Sequence, residues 1–510
     1  MPNYKTTLWA DLETLPRFPS LAADVEVDVA IVGAGITGVT AALLLTRAGS
    51  KVALLESRRI GSGETGKTTA HLTEVLDLRF RRLISKFGQS GAALAVRGHR
   101  AAIQQIATFV RELGIDCDFE AQRGYLFAET KEDARELDGE AEAARRLGLE
   151  PRELTQTPLP FPIAAALCFE DQAQIHPRAY LDGLVAALAR EGAQIFETTH
   201  VEDITDGEPC QVKTAAGIVR ARHVIVASGV PISDRYLVHP KLAAYRSYAV
   251  AVSNVPNAPA GLFWDVKDPY HYLRSHTVGG VRHLVVGGED HKVGEHDDTT
   301  VPFQRLDAYV QSHFGRAAAA TDHRWSGQII EPADGLPYVG RDALARHVFI
   351  ATGYSGNGIT GGTLAARVLA NQVHGTDDDW TELLDATRTK PFAAAAALVS
   401  ENIDFPKHLA RDHLLPLAKR DLASIAPHDG AVLSVSGTKL AVYRDGQGNL
   451  TALSPVCPHL GCFVHWNTAE KSWDCPCHGS RFSPTGRVLN GPATSNLEER
   501  PLPKEDGERT

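Results

Sequence analysis

The stretch Cys457-Pro-His459-Leu-Gly-Cys462, followed after a gap by Cys475-Pro-Cys477-His478-Gly-Ser480, constrains this chain more than any other. Four of the seven cysteines lie between 457 and 477, with two histidines interleaved. A C-x-H pair and a C-x-x-H pair bring two thiolates and two imidazoles together. Two thiolates on one iron and two imidazoles on the other describe a mixed-ligand 2Fe–2S cluster. Zinc, which also takes Cys and His, is the rival reading. Zinc folds usually pair C-x-x-C or H-x-x-H, so the spacing favours the cluster, with Cys457, His459, Cys475 and His478 as ligands. A one-electron centre needs a second redox group to exchange electrons with.

The rest of the composition narrows where that group lies. At 510 residues the chain is too long for one core, so two or three domains are expected. The net charge is -10 and no long basic run occurs, so a nucleic-acid partner is not expected. No apolar run approaches the length of a membrane span. The start, MPNYKTTLWADLETLP, lacks a basic-then-apolar signal region, so a cytoplasmic protein is expected. Cys117, Cys168 and Cys210 are scattered singly, as buried reduced thiols are.

Residues 26–56, EVDVAIVGAGITGVTAALLLTRAGSKVALLE, supply the second redox group. A β-branched run enters a turn containing Gly33, Gly35 and Gly38, an apolar helix follows, and a second strand ends at Glu56. This is the dinucleotide-binding βαβ fingerprint. The glycines allow a tight turn and close approach of backbone amides to a pyrophosphate, and Glu56 is placed to accept hydrogen bonds from ribose hydroxyls.

The following loop, SRRIGSGETGKTTAHLT at 57–73, is too long for a plain connection. It resembles the second FAD-contacting loop of the D-amino-acid dehydrogenase, glycine oxidase and sarcosine oxidase superfamily. The resemblance implies FAD, with Ser57, Arg58, Gly63, Thr68 and Thr69 along it. It also implies Val201 near the adenine and Gly229 at the end of the strand ARHVIVASGV. The strand–turn–helix at 348–373 is similar to the superfamily segment that points a helix N-terminus at the flavin. There Gly353, Gly356, Asn357, Gly358, Ile359 and Thr360 are the cofactor-binding candidates. Sarcosine oxidases carry a carboxylate-binding lysine where this chain has Thr360, which argues against a simple N-methyl amino acid. His71 could be a covalent attachment point in such a family, but a polar loop histidine is the preferred reading.

Residues 74–155 read as helical. Between 240 and 330, short alternating runs separated by Gly, Pro and Asn read as an antiparallel sheet, similar to the superfamily's substrate domain. Tyr270, Tyr272 and Arg274 are its substrate-pocket candidates. His291 and His296 have the spacing of a mononuclear-iron motif, but Gly288 stands where that motif has Asp.

The two ligand loops resemble those of cytochrome-bc-type Rieske proteins. That resemblance implies a disulfide between Cys462 and Cys477 and a hydroxyl donated to the cluster by Ser480. The position where those proteins have a second donor, a tyrosine, holds Phe482, so a lower reduction potential is expected.

The expected architecture is therefore an α/β FAD-binding domain of the Rossmann-like, glutathione-reductase type, at about 20–80, 165–235 and 330–386. An antiparallel α+β substrate domain is inserted at about 81–164 and 236–329. A linker at 387–414 leads to an all-β Rieske domain at 415–510, a separate folding unit. The implied chemistry is oxidation of an amine or amino acid at the carbon next to nitrogen. Electrons would pass from FAD through the 2Fe–2S cluster to an external acceptor, protein or quinone. The alternative runs electrons inward from an external donor for a reductive or monooxygenase step.

Overall fold

The computed structural model describes residues 7–10, 15–233, 238–294, 298–315, 321–388 and 422–502. His296 and most of the expected linker lie outside them.

The β-branched run at the fingerprint forms the strand Val25–Val32. It pairs in parallel with Val52–Leu55 on one side and Gly217–Val226 on the other. Val348–Thr352 extends the sheet in parallel, Tyr338–Arg341 closes that edge antiparallel, and Gln194–Phe196 closes the other in parallel. Such strands are covered on both faces, which is why they read as unbroken apolar runs. The helix Ile36–Arg47 follows the glycine turn. Two glycines there are forced: a Cβ on Gly33, whose φ is +101°, would lie 2.6 Å from the Ala227 carbonyl oxygen, and one on Gly38 would lie 1.9 Å from that of Gly33.

A second sheet runs, in spatial order, Thr321–Pro332, Leu242–Ser253, Val281–Lys292, His271–Val278, Leu262–Asp265, Glu120–Ala128, Ala165–Gln174 and His71–Leu72. Two expectations change here. The stretch 74–155 holds the helices Phe80–Leu113 and Ala134–Arg146, but Glu120–Ala128 between them is an interior strand. It is parallel to Leu262–Asp265 and antiparallel to Ala165–Gln174, and pairing on both sides overrides the helical character of its flanks. Ala165–Gln174, expected in the FAD-binding part, belongs to this second sheet instead.

The C-terminal module is all β: a three-stranded sheet, Asp429–Val435, Thr438–Arg444 and Leu450–Leu453, and a four-stranded one, His465–Asn467, Ser472–Asp474, Arg481–Phe482 and Val488–Asn490. It packs directly against the flavoprotein module. Arg246 of the second sheet pairs with Glu470 of this module, which also pairs with Arg481 at 2.9 Å. Arg481 reaches Asp474 at 2.9 Å, and Thr299 donates to Asn467 at 2.8 Å. Arg246 and Arg481 are buried, so the modules share a polar interior rather than a wet seam. Among the described residues no helix is long and apolar enough to cross a membrane.

Candidate functional site

A cavity of about 910 Å³ opens where the C-terminal ends of the parallel strands meet the second sheet. Ligands bind at that edge of open α/β sheets. Two helix N-termini line it, those of Ile36–Arg47 and Gly358–Val373. Neither N-cap residue caps its helix with its own side chain, although Thr65 Oγ1 accepts from the Ile36 N–H at 3.1 Å, and both helices turn their positive ends to the cavity. Glu56 is held in place by its own loop: one carboxylate oxygen accepts from the Ala34 N–H at 3.0 Å, the other from the Arg58 N–H at 3.0 Å. Further along, Asp77 accepts a hydrogen bond from the Gly356 N–H, and its own N–H donates to Asn357 Oδ1 at 3.1 Å. Burial pushes the Asp77 carboxyl up to about 6. A cavity of this size with a fixed carboxylate and two helix N-termini fits a dinucleotide such as FAD.

The far end of the cavity is aromatic. His71, Trp264, Tyr270 and Tyr272 line it. The His71 ring lies 5.6 Å from both Trp264 and Tyr272, and the Tyr272 hydroxyl is 2.9 Å from Ser247 Oγ. Burial, and then the charge of Arg274, push the His71 imidazole down to about 3, so it is neutral. Its Nε2 faces the Leu273 carbonyl at 3.4 Å and its Nδ1 lies 3.2 Å from Thr69 Oγ1. Just beyond, the Oδ1 of half-buried Asp290 is enclosed and has no hydrogen-bond partner among the described residues. Burial, with the charge of Asp77 adding to it, raises its carboxyl to about 7.

The cluster motifs converge in the C-terminal module. The His459 and His478 rings lie 4.9 Å apart, and Cys457 and Cys475 are free, buried thiols beside them. Cys462 and Cys477 form a disulfide joining the two loops, with Cα atoms 6.5 Å apart. Two thiols and two imidazoles, with the other two cysteines withdrawn from ligation, fit the mixed ligand set of a 2Fe–2S cluster. His239, from the flavin-binding side, places its Nδ1 3.0 Å from His459 Nε2. Its Nε2 donates to the Pro231 carbonyl at 2.6 Å.

Of the residues singled out in the sequence, Gly33, Gly35, Glu56, Ser57, Arg58, Gly63, Thr68, Thr69, Val201, Gly229, Gly356, Asn357, Gly358, Ile359, Tyr270 and Tyr272 line the cavity. Four candidates sit elsewhere. Gly38 packs under the turn. Gly353 lies against Pro332. Thr360 is buried with its hydroxyl 3.0 Å from His99 Nδ1. Arg274 shares a strand face with the two tyrosines but lies past the end of the cavity, under Trp9, donating to the Ile175 and Ala70 carbonyls. It is wholly enclosed by protein. Asp77, Trp264, Tyr354 and Asp290 carried no motif that could mark them. Nor did the stretch 487–496 of the C-terminal module, part of which lines the same cavity.

The site and fold define a flavin-dependent oxidoreductase carrying an iron–sulfur module. The chain belongs to the FAD dependent oxidoreductase family, whose model matches residues 28–372, and the Rieske [2Fe-2S] domain model matches residues 417–501. It is 32% identical over 498 residues to the putative Rieske 2Fe-2S iron-sulfur protein YhfW of Bacillus subtilis (strain 168), covering 97% of each chain. It is 26% identical to the gamma-glutamylputrescine oxidoreductase of Escherichia coli (strain K12), covering 71% of this chain and 86% of that one. The glycine oxidase of Geobacillus kaustophilus superposes with a TM-score of 0.62 at 24% identity, covering 72% of this chain and all of that one. The protein is an FAD-dependent oxidoreductase with a Rieske domain, and its cofactors are FAD and a 2Fe–2S cluster.

Proposed function

We propose that the chain is a dehydrogenase that oxidises an amine or amino acid and delivers the electrons, through a cluster held by Cys457, His459, Cys475 and His478, to an external acceptor. Bound FAD supplies a hydride acceptor and the cluster a one-electron carrier. One observation carries the reading. Val230 and Ile330 line the large cavity on one side and, on the other, a small space bounded by His239 and His478. The two proposed cofactor sites thus share Val230 and Ile330 as part of their walls.

The chain's own residues have defined tasks in this reading. Glu56 fixes the adenosine end and the two helix N-termini favour negative charge along the cavity. His71, Trp264, Tyr270 and Tyr272 box the substrate so that its reacting carbon is held in one orientation. His71 is not a base: its Nε2 proton is directed at a carbonyl and its Nδ1 lone pair at the Thr69 hydroxyl.

The test is an anaerobic screen of amines and amino acids, read at the flavin and cluster absorption bands. Bleaching of the flavin by an amine or amino acid, followed by cluster reduction, is expected. Reduction of both centres only by an external protein donor would overturn the proposal and favour inward electron flow.

A further inference from the structure

The cofactor cavity is not closed by the flavoprotein module alone. Arg487, Asn490, Gly491, Thr494 and Asn496, all from the C-terminal module, line it as well. This stretch is pinned to the flavoprotein side at two points. Asn490 Nδ2 donates to Glu64 Oε1 at 2.8 Å, and Glu64 accepts through its other oxygen from the Gln328 N–H at 2.6 Å. His200 Nε2 donates to the Thr494 carbonyl at 2.6 Å, next to the cavity-lining Val201.

The same stretch is anchored from behind on the second ligand loop. The Ala493 N–H donates to Ser480 Oγ at 3.0 Å, and the Gln328 side chain donates to the Gly479 carbonyl at 3.0 Å. The loop that offers Cys475 and His478 is therefore tied by hydrogen bonds both to the wall of the cavity and to the second sheet.

We infer that residues 487–496 contact bound FAD and that FAD affinity depends on the C-terminal module being docked with its ligand loop in place. The stretch offers amide and hydroxyl groups from Asn490, Thr494 and Asn496, and a guanidinium from Arg487, to a cofactor whose pyrophosphate is dianionic. A ligand held by two modules stabilises their docked arrangement, because it binds that arrangement and not the separated one.

The experiment uses the full chain stripped of flavin and titrated with FAD, followed by flavin fluorescence. Arg487 is exposed, so Arg487→Glu leaves the fold intact, and Asn490→Ala removes one pin of the wall. Each is expected to raise the FAD dissociation constant about tenfold while the cluster's visible spectrum stays as in the wild type. FAD is also expected to slow hydrogen exchange at the amides of 487–496. Dissociation constants within twofold of wild type for both variants would overturn the inference. So would exchange at 487–496 that FAD leaves unchanged, and this measurement decides alone should Asn490→Ala lose its cluster.

Discussion

Replacing Arg246 with methionine tests how firmly the two modules are joined. Arg246 sits in a balanced set of six charges: Arg246, Arg481 and Lys67 against Glu470, Asp474 and Glu64. Burial alone would raise the Glu64 carboxyl, but Lys67 and then Arg246 hold it down at about 2. The Arg246 side chain is 2% exposed, whereas Glu470 is 19% exposed and keeps its 2.9 Å contact to Arg481. Breaking a buried pair by removing one partner costs about 3–5 kcal/mol. With Glu470 partly solvated and still paired, a loss of about 2–3 kcal/mol is expected, or ~30–150-fold in the docked equilibrium. Denaturant unfolding followed at the cluster band and by FAD release should coincide in the wild type. In Arg246→Met both curves should move to lower denaturant, because a module that undocks earlier also gives up its share of the cofactor cavity. As a control, an exposed pair such as Lys213–Glu202 should contribute almost nothing. Superimposable curves for Arg246→Met and wild type would refute the idea that this cluster of charges locks the modules together.

Three further outcomes are expected. Glu56→Gln turns a charge-assisted hydrogen bond into a neutral one and should weaken FAD binding about tenfold by equilibrium dialysis; undiminished affinity would remove Glu56 from the ribose role. Phe482 is wholly buried in the core that encloses Cys457 and Cys475, and Phe482→Tyr should raise the cluster potential in voltammetry if its hydroxyl donates to the cluster; an unmoved or lowered potential would show that position 482 does not donate. In the flavin-free chain, burial holds Asp290 protonated up to about pH 7 and Asp77 up to about 6, above the ordinary carboxylate value of 3.8. Between those values the folded state keeps protons the unfolded state has released, so stability falls as pH rises from about 4 to 7, by on the order of 4 kcal/mol for Asp290. Asp290→Asn should flatten that slope in urea melts, and a slope unchanged by the substitution would reject the assignment.

What could be read from sequence depended on range. The glycine turn and Glu56 announce themselves because a dinucleotide turn is a local object, held within about thirty residues. The cluster ligands do so because two short loops carry all four donors. Glu120–Ala128 did not, since its strand character comes from partners at 165–174 and 262–265 rather than from its own neighbours. Arg274 was misplaced for a related reason. Alternation puts it on the same face as Tyr270 and Tyr272, but Trp9, from the far N-terminal end, covers that part of the face. The polar run RVLNGPATSN at 487–496 reads as a surface loop, and its contact with Glu64 spans 426 residues of chain. No periodicity or motif encodes such a meeting.

The contact between His239 and His459 also bears on the proposed exchange of electrons with an outside partner. Both proposed histidine ligands are buried, and they are turned toward the protein's own interior, with His239 against His459 and Leu242 and Ala244 facing the same small space as His478. A quinone or protein cannot dock on the imidazole edges. Among the described residues, Val456 and Pro458 stand exposed on either side of Cys457. In the proposed outward electron flow, a small apolar contact on the acceptor would suit that exposed pair.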